Sequence, residues 1–427
     1  MKGDFHISLY TPGMKDAWDM FVDASKNGTF LFRRDYMDYH SDRFADMSLV
    51  VTDDSDNIIA VLPGNRKGDR FYSHGGLTYG GLVTDEKMST ALCLAVFKEI
   101  RRFLASRGVA LMRYKAMPHI YHRMLADEDL YAVFRLGGRL VSRNASVAID
   151  LDNPLKMGRS RLNAIKRAIK NGVEIRESDD LASFYDIMCR NMSDRYHCKP
   201  THSLAELELL RSRFPERIRL FCAYVGDEAL AGALVYDCGC VLHTQYMHSS
   251  PEGKRIGALD LIIKYLADCF KGKSKYLDFG ISTECDGWFL NESLIYQKEG
   301  FGGRAAMYDC YELPIFESPE VEFVGCGEWR YSVISEGKDI GYLHLEPKDD
   351  TVVLRAELDN AFRHLGIGRK LLDFALEQAK NSRHRTITAY ITDGDNAATA
   401  LLRHYGFEEY RATNGGSFLT YNLLTDD

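Results

Sequence analysis

Long apolar runs are missing from this sequence: no stretch approaches the roughly 18 consecutive apolar residues that cross a bilayer. The opening MKGDFHISLY has no charged segment followed by an apolar one, so it does not read as a secretory signal. Paired cysteine spacings are missing too. Ten cysteines are scattered along 427 residues, and the closest two, Cys238 and Cys240, form a CxC rather than a CxxC. Neither a disulfide framework nor a zinc site follows, and the thiols read as buried groups in a reducing cytoplasm. A Gly-x-Ser-x-Gly elbow is absent, and no cysteine has a neighbour that marks it as activated. There is no surplus of positive charge either. Lysine plus arginine number 54 against 61 aspartate plus glutamate, a net charge of 54 − 61 = −7, so a polyanion would have to be met by local patches. Proline is scarce, at 10 residues. These absences predict a cytoplasmic, metal-free chain without a membrane span or a covalent nucleophile.

What remains is a globular composition, 45% hydrophobic and 27% charged, long enough for two to four compact domains. One local pattern occurs three times: an extended stretch, a loop, an amphipathic helix and a second extended stretch. The first runs GGLTYGGLV (75–83), TDEK, a helix over 88–108 and VALMRYKAM. The second runs VLHTQYMHS (241–249), SPEGKRIG, a helix over 258–270 and KYLDFGIS (275–282). The third runs TVVLRAEL (351–358), DNAFRHLGIG, a helix over 369–380 and RTITAYIT (385–392). Apolar residues fall at helical spacing in the helices, and the strands mix β-branched and aromatic residues. Each unit implies a right-handed crossover covering one face of a sheet.

The loops differ in charge. The third places Arg363, Gly366, Gly368, Arg369 and Lys370 at a helix start, where unpaired N–H groups and the macrodipole favour an anion. The second offers Gly253, Lys254, Arg255 and Gly257. The first offers Asp85 and Glu86, which repel phosphate. Pyrophosphate binding is therefore best equipped in the third unit, possible in the second and absent from the first.

RHLGIG fits the (Gln/Arg)-x-x-Gly-x-(Gly/Ala) loop of the GNAT acetyltransferase superfamily, and DGDNAATALLRHYGFEEY (393–410) resembles its next signature. The resemblance implies acetyl-CoA, or another acyl-CoA, as co-substrate. Its pyrophosphate would lie on Arg363, His364, Leu365, Gly366, Ile367 and Gly368, supported by Arg369 and Lys370, with Asn396 near the thiol-bearing arm. Many members carry a thiolate-protonating tyrosine four residues before the Gly of Gly-Phe; here that position is Leu402, while Tyr405 reads as packing. Only about thirty residues, read as two or three strands, precede the cofactor strand, so this unit lacks the paired helices that usually shape an acceptor side.

SRLNAIKRAIKNGVEIRE (160–177) and DFGISTECDGWFLNESLIYQKEGFGG (278–303) resemble the Fem-type peptidoglycan-bridge aminoacyltransferases, which have two tandem GNAT-like lobes. The expected fold is thus α/β (α+β), with three GNAT-like mixed-sheet units: lobes at 1–150 and 151–315, then a short GNAT domain at 316–427. The Fem resemblance implies a cleft for a nucleotide-linked cell-wall precursor. In the Fem enzymes the donor is aminoacyl-tRNA.

Direct transfer from a thioester to an amine needs a base on the strand before the loop or on the next strand, facing the gap where they splay. The middle unit offers His243, Tyr246 and His248, with Glu284 just beyond; the third offers Glu357. Strict alternation would put His243 and Gln245 on one face, with Tyr246 and His248 on the other. Lys298 and Asn291 are expected to contact substrate. In the basic helix Leu162, Ile165 and Ile169 form an expected apolar stripe, with Arg159, Lys166 and Lys170 on a cationic face that could meet a nucleotide diphosphate or tRNA. The functional expectation is an N-acyltransferase using a CoA thioester and an amine, on a nucleotide-linked amino sugar or other surface-glycan precursor. The alternatives are a Fem-like aminoacyl-tRNA-dependent transferase and a non-catalytic CoA sensor or scaffold.

Overall fold

The computed structural model describes residues 5–196, 200–315, 319–363, 366–382, 384–392, 395–413 and 415–423. It divides into two compact units, Met1–Ile315 and Phe316–Asp427.

In unit 1 the elements that position chemistry are, in chain order, β1 (Arg70–Tyr72), α1 (Thr90–Ala105), β2 (Leu111–Lys115), β3 (Arg139–Asp150), α2 (Arg159–Lys170), β4 (Glu228–Asp237), β5 (Val241–Ser249), α3 (Pro251–Ile256), α4 (Ala258–Phe270), β6 (Tyr276–Ile281), α5 (Glu292–Glu299) and β7 (Arg304–Pro314). An eleven-stranded sheet carries β4, β5, β6, β3, β7, β2 and β1 in that spatial order. Its middle is long and antiparallel: β7 pairs with β3 from Arg304↔Ala148 to Glu312↔Arg139, and with β2 from Cys310↔Lys115 to Pro314↔Leu111. The strand that follows the second lobe thus returns into the first. The expected boundary at 150/151 falls at the end of β3, inside this shared sheet.

Helix α1 buries Cys93, Val96, Phe97, Ile100 and Leu104, and α4 buries Ala258, Ile262, Ile263, Leu266 and Phe270, both at helical spacing. Three sequence expectations are corrected. Residues 75–81 form no strand; the strand parallel to β2 is β1. The loop SPEGKRIG contains α3. Helix α2 buries Ala164, Ile165 and Ala168, leaving Leu162 and Ile169 41% and 61% exposed. The reason is close packing: a Cβ on Gly257 would lie 2.5 Å from the Ala164 carbonyl oxygen, an approach that only the small-residue face of α2 permits.

Unit 2 contains β8 (Lys338–Lys348), β9 (Thr351–Leu358), α6 (Ile367–Asn381), β10 (Thr386–Thr392), α7 (Asn396–His404) and β11 (Gly416–Asn422) within a seven-stranded sheet. Val352, Leu354, Ile387, Ala389 and Leu419 on one face share a core with Ile367, Leu371, Leu372 and Ala375 of α6 and Leu402 of α7. The opposite face of β9 and β10 carries Thr351, Val353, Arg355 and Glu357, then Thr386, Thr388, Tyr390 and Thr392, none of them buried.

Candidate functional site

Each unit contains a fork between parallel strands followed or preceded by a crossover helix. In unit 2, β9 and β10 pair from Thr351↔Thr386 to Leu354↔Ala389, and the ladder ends there although both strands continue. Alternation places Arg355 and Glu357 on one arm of the gap and Tyr390 on the other, all on the uncovered face. Glu357 is exposed and lies opposite Tyr342 of β8. Phe418 lies 4.9 Å from Tyr390, centroid to centroid, and a Cβ on Gly416 would come 2.8 Å from the Tyr390 hydroxyl.

Helix α6 opens on Gly366, whose φ of +81° is the left-handed conformation that glycine adopts freely. Its first turn holds no acidic residue. Among the described residues a Cβ on Gly368 would meet only the end of the Leu401 side chain, at 3.3 Å. Little among the described residues crowds this backbone, but the surrounding side chains contribute less than expected. Ile367 is buried, so it can offer a ligand only its main chain. Arg363 is exposed and its Nε donates to Leu358 O at 3.0 Å. Lys370 Nζ donates to Pro319 O at 2.9 Å, which turns this ammonium toward a carbonyl. Arg369 is half-buried, and its amide donates to Gly366 O at 3.1 Å. Asn396 is the first residue of α7, which Asp395 caps by accepting from the Ala398 amide at 3.0 Å. His364, Leu365 and the Asn396 side chain lie outside the described residues. Leu402 is buried in the core, and the Tyr405 hydroxyl braces α7 to α6 by donating to Asp373 at 2.7 Å.

The second loop is corrected as an anion site. Helix α3 occupies it, Gly257 is closed against α2, and the first turn of α4 carries Asp260, which accepts from Arg161 at 2.8 Å. Arg255 is paired with Glu252 at 2.6 Å. A phosphate would meet a carboxylate and a sealed helix entry.

The fork of unit 1 holds different chemistry. Strands β5 and β6 pair from Val241↔Tyr276 to His243↔Asp278, and the last pair is joined through its side chains. Asp278 is fully buried. It lies 3.0 Å from His243 Nδ1, accepts from the hydroxyls of Tyr121 at 2.7 Å and Tyr308 at 2.5 Å, and accepts from Ser146 and, at 3.3 Å, from the Gly280 amide. Burial pushes its pKa up, but the His243 partner, with Ser146 and Tyr308, outweighs this and holds the carboxyl at about 2. An ionised carboxylate only accepts, so Nδ1 of His243 carries the proton that faces it. A Cβ on Gly280 would come 3.5 Å from His243 Cε1, beside that nitrogen.

A β-bulge overturns the alternation expected along β5. Tyr236↔His243 and Val235↔Thr244 are followed by Leu234↔Tyr246, so Gln245 is the extra residue. Tyr236 and Leu234 share one face, as does Gly232, the partner of His248. His243, Tyr246 and His248 therefore all point to the same side. Their surroundings separate them again. The Tyr246 hydroxyl is bound to His202 Nδ1 at 2.7 Å, and burial raises its pKa. His248 lies 3.5 Å from the Asn191 side-chain oxygen, and burial pushes its pKa down to about 4.

The remaining expected residues are dispersed. Glu284 is exposed in a small hairpin and touches Asn291 at 3.4 Å. Asn291 is spent as the N-cap of α5, accepting from the Leu294 amide at 3.1 Å. Lys298 is buried, with its ammonium donating to Gly280 O and Ile281 O at 2.8 and 2.9 Å; burial lowers its pKa to about 8. It holds the chain just past the fork instead of reaching toward a substrate. Lys166 and Lys170 are exposed on α2. Asp278, Tyr121, Tyr308 and Ser146 were not among the expected residues. The one local signal was an acid inside the apolar run YLDFGI; the tyrosines come from distant segments.

Among the described residues no group of three or more His, Cys, Asp or Glu side chains could hold a metal, and no helix is long and apolar enough to cross a membrane. Two segments match acetyltransferase (GNAT) domain families, residues 159–288 and residues 328–409. No curated protein matches by sequence. Among solved structures, FemX aligns with a TM-score of 0.54 at 12% identity, covering 72% of this chain and 97% of that one. L-PGS from Bacillus licheniformis aligns with a TM-score of 0.47 at 14% identity, covering 71% and 92%. A conserved protein of unknown function from Bacteroides thetaiotaomicron aligns with a TM-score of 0.49 at 11% identity, covering 73% and 100%. At such identities the likeness is one of fold.

Proposed function

Because the chain belongs to the GNAT acetyltransferase superfamily and has Fem-like lobes, we propose that it is an N-acyltransferase using a CoA thioester bound in unit 2. The acyl group, acetyl or another short one, passes to an amine on a nucleotide-linked amino sugar or other surface-glycan precursor. The observation that carries this reading is the pairing of an open fork, beyond Leu354↔Ala389, with a fifteen-residue helix entered through left-handed Gly366. Amides of the first turn of α6 grip the pyrophosphate, and the pantetheine arm enters the fork. Glu357 takes the proton of the incoming amine, its nitrogen bonds to the thioester carbon, and the C–S bond breaks as the tetrahedral adduct collapses. Tyr390, across the gap, supplies the proton that Leu402 cannot give to the departing thiolate.

The test is calorimetry with acetyl-CoA on Gly368→Asp and Glu357→Gln. An acid in a first turn stabilises a helix, so Gly368→Asp should stay folded yet lose measurable binding. Glu357→Gln should bind normally while turnover falls roughly 10²–10⁴-fold. Undiminished affinity in Gly368→Asp would remove the donor site.

The His243–Asp278 pair favours a second reading, in which transfer takes place at the fork of unit 1 from aminoacyl-tRNA. Turnover that survives Gly368→Asp but is lost in His243→Asn would select it.

A further inference from the structure

Residues 285–290 form a short turn and strand that present Trp288, Phe289 and Leu290 in succession, at 88%, 55% and 43% exposure. This exposure is imposed by bracing. Strand pairing joins Thr283–Glu284 to Phe289–Leu290, Asp286 is held by Arg113 at 2.9 Å, and Thr283 donates to Asn144 at 2.8 Å. Gly287 is pressed against β3 so closely that a Cβ would lie 2.1 Å from Arg143 O. The three side chains therefore have no inward alternative.

Helix α5 starts at once after Leu290, behind its Asn291 cap, and carries Tyr296 at 77% exposure. Its end is tied to the start of α2, where the Gly158 amide donates to Gly300 O at 2.8 Å. On α2, Leu162 and Ile169 are exposed, seven residues apart and hence on one line of the helix. Arg159, Lys166 and Lys170, also exposed, run along one side of that line. An aromatic hairpin and a cation-bordered apolar helix edge are thus linked through α5. Glu284 and Glu292 border the hairpin, so the helix supplies the electrostatic pull and the hairpin the insertion.

We propose that this surface docks the protein peripherally on an anionic lipid bilayer, with Trp288, Phe289 and Leu290 entering the interface and the α2 cations facing the headgroups. Large aliphatic side chains interleaved with lysines suit an interfacial helix, and tryptophan and tyrosine favour the headgroup level. A nucleic-acid surface would profit from the rings and cations but gain nothing from exposed Leu162, Ile169 and Leu290. The inference stands apart from the choice of acyl donor.

Co-sedimentation of the full chain with phosphatidylglycerol–phosphatidylcholine vesicles tests it, against pure phosphatidylcholine. Retention is expected only on the anionic vesicles, with loss in Trp288→Ser. Lys166→Ala with Lys170→Ala should weaken it roughly thirtyfold, from about fivefold per lysine near an anionic surface. In a Trp329→Phe background the emission of Trp288 should shift to the blue on binding, because Trp18 is already fully buried. Thermal melting checks that each variant is folded. No retention on anionic vesicles at low salt overturns the proposal. So does retention unchanged in Trp288→Ser, or binding of total tRNA through these residues in place of vesicles.

Discussion

Asp278 is the one charged side chain within the six residues of β6, YLDFGI, and it is also the last residue of the parallel ladder. Removing a carboxylate from a buried set of donors leaves several polar groups without their acceptor. Asp278→Ala should therefore destabilise unit 1 by about 3–5 kcal/mol, read from denaturant midpoints. Asp278→Asn keeps the shape but offers a donor where only acceptors served. Its amide oxygen can still accept from His243 and the two tyrosines, so in the same measurement it should cost less than Asp278→Ala, and an equal loss would refute the part given to those hydrogen bonds. The sequence made His243 visible as a candidate because it sits on a strand before a crossover helix. It could not show Asp278 as its partner, since the two are 35 residues apart. Tyr121 is 157 residues from the same carboxylate. Likewise, sequence spacing placed Arg363 and Lys370 beside the Gly loop, but only folding reveals that both donate to carbonyls.

At the level of elements, the periodic segments were the legible ones. The strands Thr351–Leu358 and Val241–Ser249 occupy the residues their β-branched and aromatic content marks, and the three crossover helices lie within a few residues of their apolar stripes. Pattern failed where geometry is set by a neighbour. Gln245 is left without a partner on β4, a long-range fact that flips Tyr246 and His248 without altering composition. SPEGKRIG has the residues of a loop, yet Ser250 caps it by accepting from the Gly253 amide at 3.0 Å and Pro251 begins a helix. Helix α2 turned its small face inward because α4 comes so near at Gly257. Two glycines with similar φ separate these causes. Gly172, at +71°, has nothing near it among the described residues, and Gly172→Ala should cost about 1 kcal/mol from backbone strain alone. Gly257, at +87°, faces Ala164 O, so Gly257→Ala should cost roughly 1–3 kcal/mol more from crowding. Equal urea midpoints for the two variants would show that the helix contact is not close.

On the scale of the whole molecule, acid should act unevenly. Among the described residues five histidines are held below their usual pKa chiefly by burial, and all lie in unit 1: His74 at about 3, His202 and His248 at about 4, with His40 and His122 also lowered. Three of them join the lobes through stacked rings. Tyr39 lies 4.2 Å from His40 and 5.8 Å from His202, and His40 lies 5.2 Å from His74. Neither ring nitrogen of His40 has a hydrogen-bond partner among the described residues. Arg43, Asp42, Glu206, Asp46, Lys115 and Arg34 provide the charges felt by this stack, and they pull in both directions, so burial decides the sign. A depressed histidine means that the unfolded chain takes up a proton near pH 6.5 that the folded chain refuses. Its stabilisation is complete above that pH and is lost as pH falls toward 4, at up to about 1.4 kcal/mol per pH unit for each residue. Asp278 adds its own loss only below about pH 4, as its carboxyl approaches protonation. Calorimetry between pH 7.5 and pH 5 should then show the transition of unit 1, recognised by loss of the vesicle-independent Trp18 signal, falling by several degrees while acetyl-CoA raises the transition of unit 2. A unit 1 transition that keeps its temperature down to pH 5 would mean that these rings accept protons in place, and that the lobes are not joined through a neutral, desolvated stack.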